Sequence, residues 1–147
     1  NEIDLLVLTP KGMFLVEIKS HPGIISGDAG SWVWVTPEGK TKYFDNPRLL
    51  ADRKAKKLAS LLQTQSSNKR SKERIPFINA LVFLSAENLI NKLTGPARLN
   101  VCTRQNFHNE LTRMDENWRH SKLNKPIATM VSRCMEEAGI KESKRIR

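Results

Sequence analysis

Apolar residues run almost unbroken through residues 2–8 (EIDLLVL) and 13–19 (MFLVEIK), separated only by Thr9-Pro10-Lys11-Gly12. Proline at the second turn position and glycine at the fourth suit a type I turn, so the two runs predict a β-hairpin. A third β-rich run covers Ser31 to Thr36, with Trp32 and Trp34 on one face, after a Gly/Asp-rich connection over 26–30. Pro37-Glu38-Gly39-Lys40 is a second turn, and Lys42-Tyr43-Phe44 a short fourth strand. Asp45-Asn46-Pro47 then marks a helix start, a side-chain cap followed by proline at the first helical position. This helix runs to about Leu62, with Ala51, Ala55, Leu58, Ala59 and Leu62 as its apolar stripe. Residues 63–75 are polar, basic and aperiodic, and predict an exposed, mobile loop.

Beyond that loop, Phe77 to Leu84 (FINALVFL) predicts a buried strand. Glu87 to Leu93 is expected as a short helix broken by Gly95-Pro96, and Leu99 to Cys102 as a short strand. Thr103 is placed to cap a helix from Arg104 to about Met114. Pro126 opens a last helix that stops near Gly139, a natural C-cap position. The order is β-meander, helix, strand, helix, strand, helix, which predicts an α/β or α+β single domain around one mixed sheet. That domain takes in residues 1–140, and 141–147 form a basic, frayed tail or linker. Because Asn1-Glu2-Ile3-Asp4 already has strand character, the chain is expected to be a fragment lacking an earlier element.

Lys and Arg number 25 against 15 Asp and Glu, a formal net charge of +10. A surplus of that size attracts polyanions and favours phosphate backbones. The two cysteines, Cys102 and Cys134, form no CxxC pair, so neither a zinc site nor a disulfide framework is expected. They are expected as reduced, partly buried thiols of a cytoplasmic protein. No apolar run approaches the length of a membrane span, and no signal peptide is evident, so no membrane partner is expected.

The chemistry concentrates in the first hairpin, where Glu2, Asp4, Glu17 and Lys19 interrupt apolar surroundings. Charges inside strands are costly unless used. With an even loop, opposed residues sum to 21, so Asp4 faces Glu17 and Glu2 faces Lys19. A loop one residue longer would put Asp4 on the face opposite Glu17. Two opposed carboxylates repel unless a cation lies between them, and together they make a hard-oxygen site suited to Mg²⁺. The Ile18 carbonyl could add a third oxygen. Lys19 beside the cation could stabilise a phosphorane or orient the attacking water, as phosphodiester hydrolysis requires. The plain alternative is an edge hairpin with a solvated charged face; E-x-K alone is weak evidence, and the Asp in register strengthens it.

The segment NEIDLLVLTPKGMFLVEIKS, followed by PGIISGD, the Trp32/Trp34 strand and DNP opening a basic helix, resembles the NERD (nuclease-related) domain. That family belongs with the PD-(D/E)xK, restriction-endonuclease-like nucleases. The resemblance covers roughly residues 1–103 and is strongest over 1–34. It implies an αβββαβ core with a mixed sheet, here without the opening helix and with extra C-terminal helices. It also implies cleavage or nicking of DNA with Mg²⁺, for which Mn²⁺ can substitute. Asp4 and Glu17 stand at the metal-ligand positions, Lys19 at the catalytic lysine. The run NPRLLADRKAKKLASLL looks most like NERD domains fused to serine/threonine kinases in Pgl/BREX-type (PglW-like) phage-defence proteins. A fused or associated kinase is therefore an expected partner, and a homodimer another, since many such nucleases act as dimers. The chain departs from the family in its missing opening helix with its acidic residue, and at Leu50, where many relatives carry Gln.

Arg48, Arg53, Lys54, Lys56 and Lys57 on the helix, with Lys69, Arg70 and Lys72 in the following loop, are the candidate DNA-backbone contacts. His21 could reach a phosphate but is ordinary loop material by default. Asp28 between glycines suits a turn. Trp32 and Trp34 could stack on bases but more often cover a sheet. His108 and His120 lack metal-ligand spacing. A DNA-binding or sensing module with little catalysis, regulating a fused kinase, is the main rival reading, and a purely structural domain the third.

Overall fold

The computed structural model describes residues 2–10, 12–117 and 123–142. The apolar hairpin forms, with its first strand starting at Leu5 where the pattern predicts residue 2: β1 (Leu5–Thr9) and β2 (Gly12–Lys19) are antiparallel, with Leu5 opposite Val16 and Leu8 opposite Met13. Opposed residues sum to 21, the even-loop register; Lys11 of the turn lies outside the described residues. Alternation divides β2 between two cores. Met13 and Leu15 pack beneath a helix, while Phe14 and Val16 face the other way with Leu81 and Cys102. A strand covered on both faces must be apolar at almost every position, and Glu17 is the buried exception on β2.

The chain builds two four-stranded sheets where the pattern predicts one. The meander continues as β3 (Gly23–Gly27), β4 (Ser31–Val35) and β5 (Thr41–Asp45). Farther along come β6 (Ile78–Leu84), β7 (Leu89–Asn91) and β8 (Val101–Thr103). The first sheet has the order β1-β2-β6-β8 and the second β5-β4-β3-β7. β6 lies parallel to β2, and β7 parallel to β3, so the β2–β3 and β6–β7 segments pass from the first sheet to the second side by side. Ser20 and Ser85 mark the bend, their hydroxyls 2.7 Å apart. Ile25 and Trp32 of the second sheet share a core with Val82, Leu84 and Val101 of the first, so the bend is a packed joint. Both sheets are mixed, and with the helices they give the expected restriction-endonuclease-like α/β class.

Helix α1 (Pro47–Gln63) buries Ala51, Ala55, Leu58 and Leu62 against β2 and β6, the stripe its spacing predicts. Its cap does more than end the helix. Asn46 is fully buried; its Oδ1 accepts from the Arg48 amide at 2.9 Å. Its Nδ2 donates to the Ala29 carbonyl at 3.1 Å, and its own amide donates to Gly30 at 2.9 Å. The helix start is thereby tied to the β3–β4 turn. Asp28 closes that turn, its Oδ1 accepting from the Gly30 and Ser31 amides at 2.8 and 2.7 Å.

Several predicted elements differ. β3 occupies part of what the glycines suggested was a connection. Gly27 is required there, since a Cβ would lie 2.4 Å from the Ser31 carbonyl oxygen. Glu87–Leu93 is not helical: Leu89–Asn91 adds a parallel edge strand to β3, and Gly95–Arg98 forms a 3-10 turn. The expected loop 63–75 contains α2 (Ser66–Arg70), which packs on the last helix, α4 (Lys125–Glu137). Buried Ser67 donates from its amide and hydroxyl to the Glu137 carboxylate, each at 3.0 Å. Helix α3 (Phe107–Asn117) begins at Phe107, not Arg104, because Asn106 Oδ1 first accepts from the Thr103 amide at 2.6 Å. α4 ends as expected, with Gly139 at φ 75° and the Ile140 amide returning to the Met135 carbonyl. His120 and tail residues 143–147 lie outside the described residues.

Candidate functional site

Glu17 is 5% exposed, one of the few carboxylates inside the fold. It sits where β2 nears its end, on the α1 side of the sheet with Met13 and Leu15. The β1–β2 register, continued outward, brings Asp4 opposite Glu17. Asp4 lies one residue before β1, and its Oδ2 accepts a 2.9 Å hydrogen bond from the Ile18 amide. Its carboxylate is thus held against the main chain beside Glu17. The Ile18 carbonyl points to the same edge as the Ile18 amide, because both groups of a strand residue face one neighbour. The donors available along this edge are the Asp4 carboxylate on the Ile18 amide, the Glu17 carboxylate and the Ile18 carbonyl.

These donors suit a hard divalent cation. Among the described residues, no three His, Cys, Asp or Glu side chains group as a ready-made metal cage. A cation here would thus take two side-chain ligands, the carbonyl and solvent, the sparse arrangement in which Mg²⁺ keeps several waters.

Lys19 follows two residues after Glu17 and lines an adjoining cleft of about 210 Å³. Phe44 and Asp45 of β5 and Asn46, Pro47, Leu50 and Arg53 of the α1 start complete its wall. The cleft lies at the bend between the sheets, where the parallel strands β2 and β6 end. Sequence reasoning missed Phe44 and Asp45 as cleft residues; only the pairing of β5 with β4 and the helix cap bring them there. Leu50 lines this same cleft.

The basic residues expected on one DNA-facing surface separate into three situations. Lys54 is half-buried and turned toward the sheet. Its Nζ lies 3.1 Å from Glu17 Oε2, with side-chain exposures of 17% and 7% for the pair. Its place on the exposed basic face is corrected accordingly. Arg48 is half-buried, while Arg53, Lys56 and Lys57 are exposed on α1. At about 100° per residue, Lys56 and Lys57 diverge around the helix, so Lys57 stays on the Leu50 side and Lys56 turns away. Lys69 and Arg70 sit on α2, with Lys72 just beyond, all exposed. They lie at the far end of α1, whose 17 residues span about 25 Å. Arg70 there shares a second cleft, of about 470 Å³, with Lys125 and Arg133 of α4.

The other weighed residues fall into structural roles. Trp32 is core. Trp34 donates from Nε1 to the Pro22 carbonyl at 2.7 Å and stacks on His21 with ring centroids 4.3 Å apart. Burial, then the charges of Lys19 and Lys42, hold the His21 imidazole below its usual range. Burial, with a smaller contribution from the Glu110 charge, pushes the Cys102 thiol up to about 12. That is the signature of an inert thiol.

The family model described as nuclease-related domain, NERD, matches residues 1–85, from the Asp4 hairpin through β6. The curated "Probable kinase PglW" of Streptomyces coelicolor (strain ATCC BAA-471 / A3(2) / M145) is 46% identical over 61 residues. That match spans 42% of this chain but only 4% of the relative's length. No solved structure shows a significant match. With more than half its length matched, and with the expected hairpin register and helix in place, the chain belongs to the NERD, nuclease-related domain family.

Proposed function

We propose that this domain is a Mg²⁺-dependent endodeoxyribonuclease, a nickase of the PD-(D/E)xK type, within a larger prokaryotic phage-defence protein. The observation that carries this reading is the buried Glu17, with the Asp4 carboxylate held on the next amide and Lys19 in the adjoining cleft. Asp4, Glu17 and the Ile18 carbonyl would hold Mg²⁺, or Mn²⁺ in its place. When bound, the cation would supply Lewis acidity to the attacking water and to the scissile phosphate. Lys19 reaches the phosphate from the cleft, donates to a non-bridging oxygen and offsets the charge that grows there. Arg53, from the same wall, holds the neighbouring backbone. Exposed Lys56 and Lys57 extend that hold along α1, and Lys69, Arg70 and Lys72 offer a second purchase at its far end. Arg48, half-buried, supports the helix start.

Metal binding and supercoiled-plasmid nicking, measured on the same variants, test this. Asp4→Asn and Glu17→Gln should both weaken Mn²⁺ binding and nicking, with partial rescue at high Mn²⁺. All variants should still bind DNA. Equal nicking by Glu17→Gln and parent would overturn the proposal.

A second reading has one observation in its favour, the relative's name as a kinase. A DNA-sensing module regulating a fused serine/threonine kinase would bind DNA without nicking it in either Mg²⁺ or Mn²⁺.

A further inference from the structure

Lys54 supplies what no other described side chain is seen to supply, a cation on the buried Glu17 carboxylate. Taking an unpaired carboxylate out of water is costly, and removing one partner of a buried pair is more damaging than replacing both. Lys54 projects from α1, three residues after Ala51 and four before Leu58, at the edge of the buried stripe. Its long aliphatic stem can lie along that stripe while the ammonium reaches Glu17 at 3.1 Å. The helix cannot readily withdraw: Pro47, Ala51, Ala55 and Leu58 are locked in the core, and Asn46 fixes its start. The flexible side chain, by contrast, can swing toward solvent past Leu50 and Lys57, which share its flank and are both exposed.

We infer that Lys54 is a built-in placeholder cation: its ammonium neutralises Glu17 while no divalent ion is bound, and gives up that carboxylate when one enters. The inference rests on the proposed metal site and adds a residue to it. Lys54 is a positioning residue, since it acts through Glu17. A divalent ion and an ammonium on the same carboxylate repel at short range, so Lys54 lowers the site's affinity for metal while keeping the empty site folded. Loading the site frees the ammonium toward the cleft side of α1, where a phosphate backbone would attract it. Metal and DNA binding would then support one another through one side chain.

The test uses the whole chain with Lys54→Met, Lys54→Arg, Glu17→Gln and the double variant Glu17→Gln/Lys54→Met. Thermal unfolding is followed with and without Mn²⁺, and Mn²⁺ binding by electron paramagnetic resonance. Without metal, Lys54→Met should melt about 10 °C below the parent, the loss expected for an uncompensated buried charge. Saturating Mn²⁺ should restore most of that loss. The double variant should recover stability without metal and lose the response to it. Lys54→Met should bind Mn²⁺ about tenfold more tightly than the parent, and Lys54→Arg should resemble the parent. If Lys54→Met is too unstable to purify bare, its refolding on adding Mn²⁺ gives the same readout. Equal Mn²⁺ affinity in Lys54→Met and parent would overturn the placeholder and leave the metal site standing. No Mn²⁺ binding by either would overturn both.

Discussion

At the residue scale, the site depends on a few charges placed by parity and held by local bonds. The even loop was legible in the hairpin pattern, and the observed register, in which opposed residues sum to 21, is the one that sets Asp4 across from Glu17 when continued outward. Lys54 was misread as surface, although its spacing from Ala51 and Leu58 put it at the margin of the buried stripe. What the pattern could not supply was its partner, 37 residues away. His21 offers a prediction of its own. The folded imidazole is held below the usual 6.5, first by burial and then by Lys19 and Lys42. The unfolded chain therefore binds its proton at higher pH than the folded one. His21's contribution to stability should fall as pH drops through about 6.5, and level off once the folded imidazole also protonates. Lys19→Ala removes one repelling charge and should raise the His21 pKa, while burial keeps it below the usual value. Titration of the His21 ring protons by NMR checks both statements. An unchanged pKa in Lys19→Ala would separate His21 electrically from the site.

At the element scale, the fold was most legible where one physical signal dominated. The hairpin, α1 with its Asn46-Pro47 start, β6 and the end of α4 follow from alternation, capping, an unbroken apolar run and a C-cap glycine. β3 was missed because Gly23 and Gly27 at its ends lower strand propensity, yet both are needed for close approach to β4. The run around Leu89 is too short for its period to separate helix from strand, and its pairing with β3 decides the outcome. α2 is short, and its packing depends on Ser67 meeting Glu137, 70 residues away. Asn46 is the element most open to test, because one buried side chain joins the cap of α1 to the β3–β4 turn. Asn46→Ala should lower the free energy of unfolding by about 2–3 kcal/mol, a cap plus a second buried hydrogen bond. Asp28→Ala, at an exposed turn, should cost less. Denaturant unfolding of the two variants makes the comparison, and a cost for Asn46→Ala no larger than for Asp28→Ala would count against the tie.

At the scale of the whole molecule, two basic regions flank opposite ends of α1. The Lys19–Arg53 cleft is at one end, and Lys69, Arg70 and Lys72 are about 25 Å away at the other. A backbone running between them would be neutralised at several phosphates. Reversing Arg53 and Lys57 to Glu should weaken DNA affinity across all sequences and reduce its salt slope by about two, one per lost contact. Reversing Lys69, Arg70 and Lys72 should do the same if the track extends that far. An unchanged slope for the second set alone would confine the track to the cleft end. These measurements concern binding, whereas the proposed role of Asp4, Glu17 and Lys19 is bond cleavage. It is tested most directly by nicking of supercoiled plasmid in Mg²⁺ by the parent and Lys19→Ala, with Mn²⁺ binding measured on the same preparations. Lys19→Ala should bind metal like the parent and still bind DNA, but nick about 10²–10³ times more slowly. Nicking by Lys19→Ala at the parent's rate would contradict that role.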